Sequence, residues 1–212
     1  MKLHRLTIFF SALFFISLIA GYSTRFLLRN ESSRAVHYVP YIKTFFAAAF
    51  EHAPKFSPQK DEKISAIIVN HHLLAPHFIA QGLNLLLDQK PSTIVLVSPN
   101  HFSHGTANVL ATDAAWETPY GRIQSNEKVL SYLKGLGLIH IDDRPFFTEH
   151  GIFNVVSFIK KVLPRARIVP IIVKDRTSDA EVDELAYALA QLPGDTVMIA
   201  SLDFSHYLPS SV

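Results

Sequence analysis

Three apolar runs in this chain each lead into a histidine. They are Ile67-Ile68-Val69-Asn70-His71-His72, Val95-Leu96-Val97-Ser98-Pro99-Asn100-His101 and Val197-Met198-Ile199-Ala200-Ser201-Leu202-Asp203-Phe204-Ser205-His206. Short β-branched runs bounded by turn residues read as buried strands, and segments with helical spacing separate them. The strands expected are 64–69, 93–97, 107–112, 168–173 and 196–200. The helices expected are 75–87, 126–133, 150–163 and 178–192, with an irregular stretch around Trp116-Glu117-Thr118-Pro119-Tyr120-Gly121. Strands alternating with helices predict an α/β fold: a mostly parallel central sheet with helices on both faces. Such sheets bind ligands outside the carboxyl ends of their strands, where residues distant in sequence converge. The histidines stand at those ends.

Composition narrows the chemistry. The 212 residues contain no cysteine, so disulfides, thiolate nucleophiles and cysteine-type zinc or iron–sulfur sites are excluded within the chain, and any metal must use His, Asp or Glu. The formal charge is only +2, and no Lys/Arg cluster interleaved with aromatics occurs, which argues against nucleic acid as a partner. Residues 1–5 are basic, and Leu6 to Tyr22 form an uncharged apolar run, so residues 1–23 read as a signal or membrane anchor. An anchored domain outside the cytoplasm is expected, or a secreted one if the segment is cleaved. Residues 24–62 mix charges, aromatics and prolines and read as a connector, with a short amphipathic helix at 41–52. The α/β domain is then expected over 63–212, incomplete at its C-terminus.

Adjacent residues on an extended chain point in opposite directions, so only one of His71 and His72 should face the crevice. His101 sits in a Pro-Asn-His-Phe turn able to aim the imidazole over the strand ends, while His104 reads as a solvent-facing or supporting group. The spacing of Asp203 and His206 suits a carboxylate that orients an imidazole through its second nitrogen. Glu149-His150 opens a helix, where the glutamate complements the helix dipole or lines the same crevice. Two histidines and a carboxylate would suit non-haem iron(II), and histidine-rich sites also take copper or zinc. Serine-hydrolase motifs, phosphate loops and dinucleotide fingerprints are absent.

The ordered series Val69-Asn70-His71, Ser98-Pro99-Asn100-His101, Glu117-Thr118-Pro119-Tyr120-Gly121, Glu149-His150-Gly151, Val169-Pro170-Ile171-Ile172-Val173 and Ser201-Leu202-Asp203-Phe204-Ser205-His206-Tyr207 resembles the Memo family. Bacterial members of that family are named AmmeMemoRadiSam system protein B, and its fold is similar to that of class III extradiol dioxygenases of the LigB type. The resemblance covers roughly residues 64–212. It implies that His71 and His101 bind metal and that His206, oriented near Asp203, resembles the catalytic acid/base of the dioxygenases. Glu149 and His150 match the family's Glu-His-Ser segment, with Gly151 in place of Ser. Asn70 replaces the usual Pro, His72-Leu73 replace Ala-Gly, and Phe153 and Val155 stand where Glu and Gln are usual. The third metal ligand of the family comes from a region beyond the Ser-His-Tyr segment.

The function expected is therefore that of a Memo-like metal-binding protein with an oxidative or redox role. The metal expected is a divalent transition ion, iron or copper ahead of zinc. Partners expected are the membrane, a small-molecule substrate and proteins of the AmmeMemoRadiSam type. An extradiol iron dioxygenase and a non-catalytic, membrane-tethered binding module are the alternatives.

Overall fold

The computed structural model describes residues 35–54 and 63–203. A six-stranded sheet forms the centre. In spatial order its strands are β2 (Ala66–Val69), β9 (Thr196–Ser201), β3 (Thr93–Pro99), β8 (Arg167–Val173), β4 (Val109–Ala111) and β7 (His140–Ile141). All neighbouring pairs are parallel except β4 against β8. A smaller sheet joins β1 (Val36–Tyr38), β5 (Ala115–Thr118) and β6 (Gly121–Ile123). The helices are α1 (Lys43–Glu51), α2 (Pro76–Asn84), α3 (Glu127–Gly135), α4 (His150–Val162) and α5 (Asp179–Ala190), with a 3₁₀ turn at Arg144–Phe147.

The pleat of the central strands explains why both faces carry helices. Ile94, Leu96, Ile168, Ile172, Val197 and Ile199 turn to one side, where they join Phe46 of α1, Ile79 and Leu83 of α2, and Ile152, Val155, Val156 and Ile159 of α4. Val95, Val169 and Ile171 turn to the other, packing with Val129, Leu130 and Leu133 of α3 and with Leu185 and Ala188 of α5. Strands buried on both faces must be apolar throughout, as β3 and β8 are. The fold is α/β, with a mostly parallel central sheet and helices on both faces, as the sequence pattern predicts.

Local chemistry sets the helix starts. Ser178 caps α5 in a reciprocal capping box with Glu181, and Asn126 caps α3 by accepting from Val129 N. Gly82 lies inside α2 because the helix sits tightly on β2. A Cβ at that position would lie 2.6 Å from Val69 Cγ1.

Two regions differ from the sequence reading. The stretch read as irregular is a hairpin, β5 and β6, closed by Thr118 Oγ1 donating to Gly121 O at 2.7 Å. Its strands are only 4 and 3 residues long, too short for a period to show. Residues read as a connector supply β1 and α1. β1 pairs in parallel with β5, and its His37 is clamped: Nε2 lies 2.7 Å from Asp143 Oδ1, and the ring stacks on Trp116 and meets the edge of Phe147. Phe46 of α1 is fully buried, edge-on to Phe158 at 5.0 Å between centroids. The helix expected at 41–52 is α1, while the 3 residues of β1 are too few for a period to show.

Among the described residues no helix is long and apolar enough to cross a membrane. The run 6–22 lies outside the described residues.

Truncating a fully buried aromatic removes both its transfer free energy and its packing. Phe46→Ala should therefore cost about 3–5 kcal/mol in denaturant unfolding. A cost below about 1 kcal/mol would mean that α1 is no part of the core.

Candidate metal centre

The parallel sheet brings three strand ends together, with β9 between β2 and β3. His71 follows β2 by two residues, His101 follows β3 by two, and Asp203 follows β9 by two, while His150 is the first residue of α4. His71, His101 and His150 each offer a ring nitrogen, and these atoms lie within 4.8 Å of one another. The ring centroids are 4.9 Å apart for His71–His101, 5.2 Å for His71–His150 and 4.1 Å for His101–His150. This cluster could hold a metal ion. His72 points outward and is exposed, as the alternation of an extended chain requires. His104 is exposed and stacks on Phe102, outside the cluster.

Glu149 organises His101. Its side chain is only 1% exposed and caps α4 by accepting from Gly151 N at 3.0 Å. The same carboxylate accepts from His101 N at 3.0 Å and contacts His101 Nδ1 at 2.6 Å. A carboxylate only accepts, so Nδ1 carries the proton and Nε2 presents its lone pair, the usual arrangement of a ligand histidine backed by a carboxylate. Glu149 thus complements the helix dipole and lines the crevice at once. Asn100 closes the turn, its side chain donating to His104 O and accepting from His104 N.

Ser201 does the same for His71. Its hydroxyl donates to Gly151 O at 2.6 Å, so its lone pairs are left to accept from His71 Nδ1 at 3.1 Å. His71 Nε2 is then a lone pair, fully buried, without a hydrogen bond among the described residues, and 3.2 Å from Asp203 Oδ2. Two lone pairs at that distance repel unless a proton or a cation lies between them. Burial pushes the His71 pKa below 6.5; the nearby Asp203 carboxylate opposes this, and His101 adds to it. His150 is lowered likewise, chiefly by burial and then by His101. Neutral imidazoles are the ligating form.

The donor set, three imidazoles with a carboxylate beside them, is one that could hold a metal ion. Ligands about 2.0–2.1 Å from a tetrahedral ion stand roughly 3.3 Å apart, so an ion would draw the three rings together by up to roughly 1.5 Å. The 3.2 Å between His71 and Asp203 already has the spacing of two ligands on one ion.

The sequence pointed to Glu149 but gave no role to two other residues that hold this cluster. Ser201 fixes the His71 ring, and Asn154, buried in α4, donates to His71 O at 3.0 Å. Val155 is fully buried and Phe153 packs against the same core, so these two positions serve packing. Their signal was the apolar spacing of α4. His206 lies outside the described residues.

Residues 42–211 match the Memo family, described as Memo-like protein. The chain belongs to the Memo family. It is 34% identical over 128 residues to a MEMO1 family protein of Caldivirga maquilingensis, covering 58% of this chain and 45% of that one. It is 31% identical over 132 residues to a MEMO1 family protein of Methanothermobacter thermautotrophicus, covering 60% and 48%. A MEMO1 family protein of Thermotoga maritima is 34% identical over 123 residues, covering 56% and 44%. The chain spans about half the length of the curated relatives it matches.

One departure from the Memo pattern has a local cause. A Cβ at Gly151 would collide with Ser98 Oγ and lie 2.9 Å from Ser98 Cβ. Glycine is therefore coupled to the buried Ser98 of β3. Gly151→Ala should destabilise by about 1–3 kcal/mol through overpacking. Adding Ser98→Gly should recover at least about 1 kcal/mol relative to the sum of the single variants in a denaturant double-mutant cycle. Additive costs would contradict the coupling.

Proposed function

We propose that this Memo-family chain binds one divalent transition metal through His71 and His101, with His150 as a third imidazole, and uses it in an oxidative reaction on a small molecule. The observation that carries this reading is the buried His71 Nε2. Ser201 turns its lone pair toward Asp203, and only a cation or a proton relieves that arrangement. Burial disfavours the proton. Iron or copper suits an imidazole-rich set with a redox role better than zinc does, since zinc has no redox chemistry. A bound ion of this kind would supply Lewis acidity and electron transfer.

The protein's own part is to orient. Glu149 holds His101 through Nδ1, Ser201 holds His71, and Asp203 stands as a carboxylate beside them. By resemblance, His206 is the acid/base that moves a proton, with Asp203 orienting it. In this reading the segment 6–22 tethers the domain to a membrane, and partners are of the AmmeMemoRadiSam type.

The carboxylate beside His71 favours a second reading, an extradiol-type iron(II) centre built from two histidines and Asp203.

The test is metal loading of the purified chain with iron(II), copper(II) and zinc(II), followed by elemental analysis. About one equivalent of iron or copper should bind. The His71→Ala, His101→Ala double variant should lose more than the roughly 10–100-fold in affinity typical of losing a supporting partner. Equal metal content in both proteins would sink the proposal. Asp203→Ala should weaken iron binding strongly under the second reading and only modestly under the first.

A further inference from the structure

Beside His101 a cavity of about 430 Å³ opens between the carboxyl ends of β3 and β8, with Leu202 in its lining. Its wall includes Ser98, Asn100, His101, Ser103 and Lys174. The volume falls in the range of small-ligand pockets. Lys174, the first residue after β8, is 3% exposed. Its ammonium donates to the carbonyl of Gly105 at 2.5 Å, and among the described residues no carboxylate lies within 4.0 Å of it. An ammonium has three protons to donate, and one neutral carbonyl does not balance its charge. A buried charge without a counter-charge is costly and is normally retained where one is supplied.

We propose that this cavity is the substrate pocket and that Lys174 binds the carboxylate of a small molecule whose other end faces the histidine cluster. The position of that far end rests on the metal-centre reading; the carboxylate contact does not. One ammonium matches one negative charge. The carboxylate of Asp175, which also lines the cavity but is exposed, disfavours a dianion such as phosphate. The chemical class is therefore a monocarboxylate of modest size.

The probe is benzoate, with neutral benzamide as its isosteric comparator. Each is titrated into the purified full chain, with and without metal, and followed by the amide resonances of Asn100, His101, Ser103 and Asp175. Benzoate should bind at least about tenfold more tightly than benzamide and shift these resonances in the metal-free chain as well. Lys174→Met should abolish the preference, and Lys174→Arg should keep much of it, with thermal unfolding recorded for both. A purely structural Lys174 would leave benzoate and benzamide equal in the wild-type chain, and that result overturns the proposal. So would a folded Lys174→Met variant that still prefers benzoate. If Lys174→Met does not fold, the wild-type preference alone decides. Because the metal-free arm is read separately, a failed carboxylate contact is distinguishable from a failed metal centre.

Discussion

The carboxylate of Glu149 is the contact on which the site's geometry depends. Buried at the start of α4, it satisfies a backbone N–H of that helix, the backbone N–H of His101 and the His101 ring. Helix start, strand-end turn and imidazole tautomer are thereby set by one group. A buried carboxylate with three donors is stable where a bare one would not be. Removing it would free the turn and the ring together, which is why its influence exceeds that of any single histidine.

A second layer repeats the logic with neutral groups. Ser201 passes a hydrogen bond from His71 to the backbone of Gly151, and Gly151 lies so close to Ser98 that only hydrogen fits between them. β9, α4 and β3 are therefore locked against one another at the point where the histidines converge. The fold supplies the convergence because β2, β9 and β3 are parallel neighbours, so their carboxyl ends share one edge. Membership of the Memo family agrees with this architecture, and the chemistry proposed for the site goes beyond what membership shows.

Much of the fold was legible because the buried strands are uniformly apolar and the helices carry strong start signals, as at Ser178 and Asn126. His71 and His101 were legible because His71 follows an apolar run by two residues and His101 follows one through a Pro-Asn turn. What stayed hidden depends on distance in three dimensions. Ser201, Asn154 and Ser98 are ordinary residues until the chain folds and a hydroxyl or amide meets a ring, a carbonyl or a glycine. Lys174 drew no reading, since nothing in its sequence neighbours shows that it would be buried. β1 was obscured by its short length, whereas the helix expected at 41–52 is α1. The antiparallel β4 escaped because strand direction is set by the path of the loop around Gly105, and local periodicity carries no direction.

The central claim is that a transition ion sits among His71, His101 and His150. X-ray absorption spectroscopy of the iron- or copper-loaded chain tests it most directly, because imidazole rings give a distinctive outer-shell scattering pattern. The account predicts two to three imidazole nitrogens at about 2.0–2.1 Å from the metal. That pattern should weaken in His150→Ala and vanish in the His71→Ala, His101→Ala variant. A spectrum showing only oxygen ligands, unchanged by these substitutions, would contradict it.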